Sequence, residues 1–328
     1  MEPLPLISVV IPIRNSRAMF EACLQSIRGQ DYPSERMEII VPDAHSTDDG
    51  PAIARRFGAT VVANDGLMIG PGRDAGFAAA RGEIVALTDA DCIVDKDWLR
   101  NAVKYFQDPA VGAVGGPSPV PPGQGALAEA IGYFFRLSSI VAGAAHVEEQ
   151  DRIERVRHIP GCNLLCRRSA LAKIFPLAWT TTSGEDIQTG RLLLQNGYTL
   201  LRVPDVKVWH YKRTTAKAFF WQMQSYGRGR LRLGKIDRRW LHPAHVLCGF
   251  AIPLLILGAA TLWWMSPVVL LFAALAAAAL LHGFALWAIS DGASANILWS
   301  GPAVLFIGCI GWSRGFLAEL FRGPRVTR

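Results

Sequence analysis

Two runs near the C-terminus, 244–265 (AHVLCGFAIPLLILGAATLWWM) and 267–289 (PVVLLFAALAAAALLHGFALWAI), contain no Asp, Glu, Lys or Arg. Each reaches the roughly 20 residues that a helix needs to cross the hydrocarbon layer of a bilayer. A helix without a charged face has no side to turn toward water, which disfavours a core role in a soluble domain. Both runs are therefore candidate membrane spans. A third run, 297–312 (ILWSGPAVLFIGCIGW), is shorter and interrupted by Gly301 and Pro302. A full span, a re-entrant segment and an interfacial helix stay open there, the full span being preferred.

The apolar excess of the chain, 51% hydrophobic against 19% charged residues, is concentrated in this tail. Up to about Trp240 the sequence reads as a soluble α/β domain. The expected division is thus a catalytic-type domain over 1–240 and a membrane domain over 241–328 with two or three hydrophobic helices. A basic segment within 213–240, densest in YGRGRLRLGKIDRR (226–239), precedes the first run and carries much of the net charge of +7. Such a block marks the cytoplasmic side and attracts anionic headgroups, which argues against nucleic acid as the partner. The basic end FRGPRVTR also prefers the cytoplasm, which suits an even number of crossings. The N-terminus lacks the basic region of a secretory signal, so the large domain is expected on the cytoplasmic face of a multi-pass inner-membrane protein. Six scattered cysteines read as reduced thiols, and Cys162 with Cys166 lacks the second pair of a zinc site.

Before the tail, apolar strand patterns at 7–13, 37–41, 59–62 and 83–87 alternate with helical patterns. Phe20, Cys23, Leu24 and Ile27, for example, share one helix face. Strand and helix in alternation specify a mostly parallel sheet covered on both faces. In such sheets ligands bind at the carboxyl ends of strands. Arg14 and Asn15 follow the first strand, PDAHSTDDG (42–50) the second, and Asp89 and Asp91 the fourth. In a strand, residues i and i+2 share a face, so Asp89 and Asp91 would repel unless a cation lay between them. A wet turn is the bland alternative.

Taken in order, SVVIPIRN, DAHSTDDG, GPGRDAGFAAARGEIVALTDADC and GEDIQTGRLLLQNGYTL resemble the motifs of family 2 glycosyltransferases with the GT-A fold, over about residues 6 to 215. VWHYKRTT with FWQMQSYGRGR and the hydrophobic tail is similar to the branch of membrane-bound exopolysaccharide enzymes that includes the succinoglycan glucosyltransferase. Asp74 stands where the family usually has Asn, Ala44 and His45 depart from its pattern, and no Q-x-x-R-W occurs, which argues against a processive synthase.

The resemblance implies an inverting enzyme that moves a sugar from a nucleoside diphosphate sugar, commonly a UDP-sugar, with a divalent cation, Mg²⁺ or Mn²⁺. It implies Asp91 as direct metal ligand and Asp89 as a ribose contact that assists the metal. His210 is a further candidate ligand, with a structural role as its alternative. Asp43 would accept from the nucleobase beside Pro12, with Arg14 nearby. Arg73 would reach the base or the pyrophosphate, or else pair with a neighbouring acid such as Asp74. Asp186 would take the acceptor's proton and Glu185 would orient it or raise its pKa by like-charge repulsion, although two acids at a helix start also match the macrodipole. Arg228 and Arg230 would hold a diphosphate, or face lipid headgroups. The tail implies a membrane-associated acceptor, a polyprenyl-diphosphate-linked glycan, and membrane lipids as partners. The stretch 126–145 carries Glu129 and Arg136 and reads as an acceptor-side or interfacial helix of the cytosolic domain.

Two other readings stand beside this one: a nucleotide-sugar hydrolase or pyrophosphorylase of the same fold, and a catalytically silent membrane adaptor. A Rossmann dehydrogenase is disfavoured, because no G-x-G-x-x-G follows the first strand.

Overall fold

A computed structural model of the chain describes residues 4–142, 151–179, 183–262 and 265–322. The alternation read from the sequence is present: β1 (Ile7–Val10), α1 (Arg17–Arg28), β2 (Met37–Asp43), α2 (Gly50–Arg56), β3 (Thr60–Ala63), α3 (Ile69–Ala79) and β4 (Ile84–Leu87). The strands lie parallel in the order β3-β2-β1-β4. Successive residues of a strand serve opposite faces. Val9 and Ile39 pack with Phe20, Leu24 and Ile27 of α1, whereas Val10, Ile40 and Val85 join a separate apolar cluster. Both faces are covered, which is why these strands are apolar without alternation.

After β4 come β5 (Cys92–Val94), α4 (Trp98–Val103), β6 (Val111–Gly115), α5 (Ala126–Ala142), β7 (Glu154–Arg155), β8 (Leu164–Arg167), α6 (Arg168–Leu171), α7 (Glu185–Gln195), β9 (Thr199–Arg202) and β10 (Val208–His210). The main sheet grows to eight strands, β3-β2-β1-β4-β8-β6-β9-β7, with β8 antiparallel to both its neighbours. A second, two-stranded sheet pairs β5 with β10 antiparallel, setting His210 opposite Cys92. The result is a mixed α/β domain around a mostly parallel sheet.

Two compact units result, one of residues up to 121 with 145–211, which holds the sheets, and one of 122–144 with 212–326. The second contains α5, α8 (Ala216–Ile236), α9 (Pro243–Gly249), α10 (Ala251–Leu262), α11 (Pro267–Ser290) and α12 (Ile297–Leu320). The helix within 126–145, read from the sequence as part of the sheet domain, groups instead with the C-terminal helices. Arg136 Nη2 pairs with Asp291 Oδ1 at 2.8 Å, and the Tyr133 hydroxyl donates to the Asp291 carbonyl at 3.1 Å.

Among the described residues, α11 and α12 are each 24 residues long and apolar enough to cross a membrane. The expected ranking of the three runs changes in two places. The run at 244–265 is divided between α9 and α10, which are bent by 55°. Pro253 explains the break, since a proline at position i excludes the hydrogen bond to the carbonyl of i−4, here Gly249. Ser313 Oγ takes over, donating to the Gly249 carbonyl at 2.8 Å and accepting from Ile252 N at 3.1 Å. Conversely the interrupted run at 297–312 is the front of an unbroken helix. Pro302 lies near its start, and a Cβ on Gly311 would come within 2.6 Å of the Phe220 carbonyl of α8. Gly301, which resembled a break, is also packed: a Cβ there would lie 3.3 Å from Ala285 Cβ and from the Phe284 ring of α11. Below it the Arg232–Glu319 pair, 3.2 Å apart, is buried. In contrast α10 and α11 expose Leu254, Leu255, Ile256, Leu270, Leu271 and Phe272.

Candidate active site

The acids meet at the edge where parallel strands β2 and β4 end. Strand β4 stops at Leu87, and Asp89 and Asp91 lie in a turn closed by Cys92 N donating to the Asp89 carbonyl at 3.1 Å. The D-x-D is therefore a turn between β4 and β5, not a strand end with both side chains on one face. Tyr211 N donates to the Asp91 carbonyl at 3.0 Å, and the β5–β10 pairing sets His210 beside it. His210 Nε2 lies 3.6 Å from Asp91 Oδ1. One ligand atom each from Asp89, Asp91 and His210 falls within 4.8 Å of the others. Two carboxylates and an imidazole form a donor set that fits Mn²⁺ well and Mg²⁺ acceptably, hard oxygens serving both ions and the ring nitrogen favouring the transition metal.

Behind the turn lies Arg73 of α3, only 3% exposed. Nη1 donates to Glu185 Oε1 at 2.6 Å and Nη2 to Asp89 Oδ1 at 3.4 Å. Its partners are thus Glu185 and Asp89, not Asp74, whose carboxylate accepts from Leu177 N and Ala178 N. Burial alone would lower the pKa of Arg73, but Glu185, Asp89 and Asp186 hold it above the ordinary value. Burial pushes the Asp89 carboxyl up to about 6 and the Glu185 carboxyl up to about 7, in each case against the pull of Arg73.

Asp186 enters through the first turn of α7. Its Oδ2 accepts from Gly161 N at 3.1 Å and its Oδ1 from Ile187 N at 2.8 Å, so two backbone donors fix the carboxylate. Gly161 has to be glycine here, because a Cβ would run into the Arg73 guanidinium. The PGCN turn was not singled out from sequence. Its signal was present, a buried-type segment with Pro160 and Gly161 ahead of strand β8.

On the other side of β1, the loops after β1 and β2 are tied together. Asn15 N donates to Ser46 Oγ at 3.0 Å, and Thr47 N donates to Asn15 Oδ1 at 2.8 Å. Asp43 ends β2, pairs with Ile13 through a parallel bridge and accepts from Ser46 N at 3.1 Å. Pro12 sits beside Gly72 at the start of α3, and Arg14 is exposed in the same loop. Pro12, Arg14 and Asp43 thus form one cluster, and Arg73, Asp89, Asp91, Glu185, Asp186 and His210 another along the same sheet edge. Arg228 and Arg230 fall on α8 in the second unit, where Arg230 Nη1 donates to the Trp240 carbonyl at 3.4 Å.

Residues 8–175, just over half the chain, match the model of glycosyl transferase family 2. The chain belongs to this family. Among relatives, it is 27% identical over 243 residues to the glycosyltransferase AglE of Haloferax volcanii, spanning 72% of this chain and 76% of that protein. It is 23% identical over 255 residues to the dolichyl N-acetyl-α-D-glucosaminyl phosphate 3-β-D-2,3-diacetamido-2,3-dideoxy-β-D-glucuronosyltransferase of Methanococcus voltae, spanning 72% and 77%. Other relatives are longer, and the chain spans a quarter to just over half of them. In fold it is similar to the mannosyltransferase PcManGT of Pyrobaculum calidifontis solved with GDP-Man and Mn²⁺. The TM-score is 0.64 at 23% identity, over 98% of this chain and 88% of that one. The chain is accordingly a glycosyltransferase with a GT-A-like fold.

Proposed function

We propose that this glycosyltransferase inverts the anomeric carbon of a nucleoside diphosphate sugar, using a divalent cation, and transfers the sugar to a membrane-associated acceptor at the cytoplasmic face. The acceptor class is a polyprenyl-diphosphate-linked glycan of exopolysaccharide or cell-surface synthesis, and the first donors to test are UDP-sugars. One observation carries the reading: Asp89, Asp91 and His210 converge within 4.8 Å at the sheet edge where Asp186 is also held.

Asp89, Asp91 and His210 would hold the cation, which supplies positive charge opposite the leaving diphosphate. Asp186, kept in one orientation by Gly161 N and Ile187 N, accepts the proton of the attacking hydroxyl. Glu185 does not touch the acceptor in this scheme; it neutralises Arg73 and so fixes the first turn of α7 against the D-x-D turn. Asp43 accepts from the nucleobase, with Pro12 against its face and Arg14 at the rim. Arg228 and Arg230 belong to a basic stretch suited to phosphates at a bilayer surface. Support for a lipid-borne acceptor comes from the exposed apolar side chains of α10 and α11 and from the dolichyl phosphate in the name of the Methanococcus voltae relative.

The test is a transfer assay with labelled UDP- and GDP-sugars, membrane vesicles containing a polyprenyl-linked acceptor, and Mn²⁺ or a chelator. Label should move into the lipid phase only with Mn²⁺, and Asp91→Ala should abolish it. Release of free sugar without any lipid product would refute the acceptor assignment.

A further inference from the structure

The imidazole of His210 is shared between two different sets of ligands. On one side stand Asp89 and Asp91; on the other, Cys92 and Cys162, whose sulfurs with a His210 nitrogen all lie within 4.8 Å of one another. The second set is built by three parts of the fold. Cys92 opens β5, His210 is its cross-strand partner on β10, and Cys162 lies in the turn Gly161–Asn163. Both cysteines are buried, Cys92 completely and Cys162 to within 4%. Neither is used by the scheme above.

Tetrahedral Zn²⁺ with sulfur at 2.3 Å and nitrogen at about 2.0 Å sets neighbouring ligand atoms about 3.4–3.8 Å apart, so this trio needs to close by no more than about 1.4 Å. Charge also fits. Two thiolates and a neutral imidazole around a divalent ion sum to zero, so a filled site leaves no net charge in the buried region. Thiols are soft ligands that Mg²⁺ and Mn²⁺ bind poorly, whereas thiophilic ions displace their protons on coordination. On binding, two S–H bonds are exchanged for two metal–sulfur bonds and two protons pass to solvent.

We propose that Cys92, Cys162 and His210 form a second, soft-metal site that takes Zn²⁺ or Cd²⁺ and, when filled, withdraws His210 from the cation at Asp89 and Asp91. Zn²⁺ would then inhibit transfer from a position behind the active site. The inhibition rests on the proposed function; the metal site does not.

The experiment titrates the detergent-solubilised full chain with Cd²⁺ and follows the ultraviolet cadmium–thiolate charge-transfer band. Cys248 and Cys309, also in thiol contact with each other, are replaced by serine in the background so that they cannot contribute. The band should appear in this background and be lost, or need at least about tenfold more Cd²⁺, in Cys92→Ser and in Cys162→Ser, since even losing a partner outside the ligand shell costs 10–100-fold. Far-ultraviolet dichroism checks folding, and Cys162→Ala replaces any serine variant that does not fold. No band in the background chain, or a band unchanged in the variants, overturns the site. In the activity arm, Zn²⁺ should suppress Mn²⁺-supported transfer and Cys162→Ser should relieve it. Cd²⁺ and Zn²⁺ bound at these thiols without suppression would overturn the sharing of His210. Loss of transfer in every chain, with the band intact, would count against the proposed function alone.

Discussion

Arg73 joins Glu185 to Asp89 through one buried guanidinium, at 2.6 Å and 3.4 Å, across 112 and 16 residues of sequence. The D-x-D turn and the first turn of α7 are therefore held at a fixed separation by an internal ion pair. Removing the cation would leave two acids facing each other with no partner. Arg73→Met should destabilise the chain by about 3–5 kcal/mol, the usual cost of breaking a buried pair from one side. Urea unfolding of the detergent-solubilised protein measures this. A loss below about 1 kcal/mol would mean that solvent or a bound ion already neutralises the pair.

The same triad predicts how stability depends on pH. Glu185 is raised from 4.5 to about 7 chiefly by burial, so the folded chain binds its proton more tightly than the unfolded chain does. The stability that this protonation contributes is complete below the ordinary carboxyl range and is lost as pH rises through about 7. Asp89, raised from 3.8 to about 6, acts in the same direction over a lower window. Thermal midpoints should fall between about pH 5 and pH 8, and Glu185→Gln, which keeps an acceptor for Arg73, should flatten the upper part of that slope. A slope identical in the variant would remove Glu185 as its source.

The metal and the base should be separable by kinetics. His210→Ala removes one of three donors and should raise the Mn²⁺ concentration for half-maximal activity by about tenfold or more. Asp186→Asn leaves those donors in place, so it should lower kcat by about 10²–10⁴-fold with Mn²⁺ binding unchanged in calorimetry. An Asp186→Asn enzyme that lost Mn²⁺ affinity and kept its kcat would exchange the two roles.

How far this arrangement could be read from the sequence depended on distance along the chain. Strands β1 and β4 were legible because a strand covered on both faces must be apolar throughout, and Asp89, Asp91, Glu185 and Asp186 stood out as charges placed where apolar or cap positions were expected. The partner of Arg73 was not legible: local spacing offered Asp74, while the true partner lies on α7. Likewise Gly161 shows its use only beside Arg73, and Cys162 meets Cys92 only after β8 has been inserted next to β4. In the tail, Gly301 and Pro302 resembled a break because the packing of Gly301 against α11 carries no local signal. Pro253 was visible, but a proline acts on the residue four before it, and that consequence was missed.

That last point can be tested directly. Ser313 is the one described side chain seen to bridge the break, donating to the Gly249 carbonyl and accepting from Ile252 N. Ser313→Ala strands both groups in an apolar environment and should cost about 1–3 kcal/mol. Pro253→Ala restores an N–H four residues after Gly249, which allows α9 and α10 to run on as one helix and makes Ser313 dispensable. The double variant should therefore recover most of the stability lost in Ser313→Ala, read as thermal midpoints in detergent. Additive losses would show that the 55° bend is imposed by the packing of α9 and α10 on α12 and not by the proline.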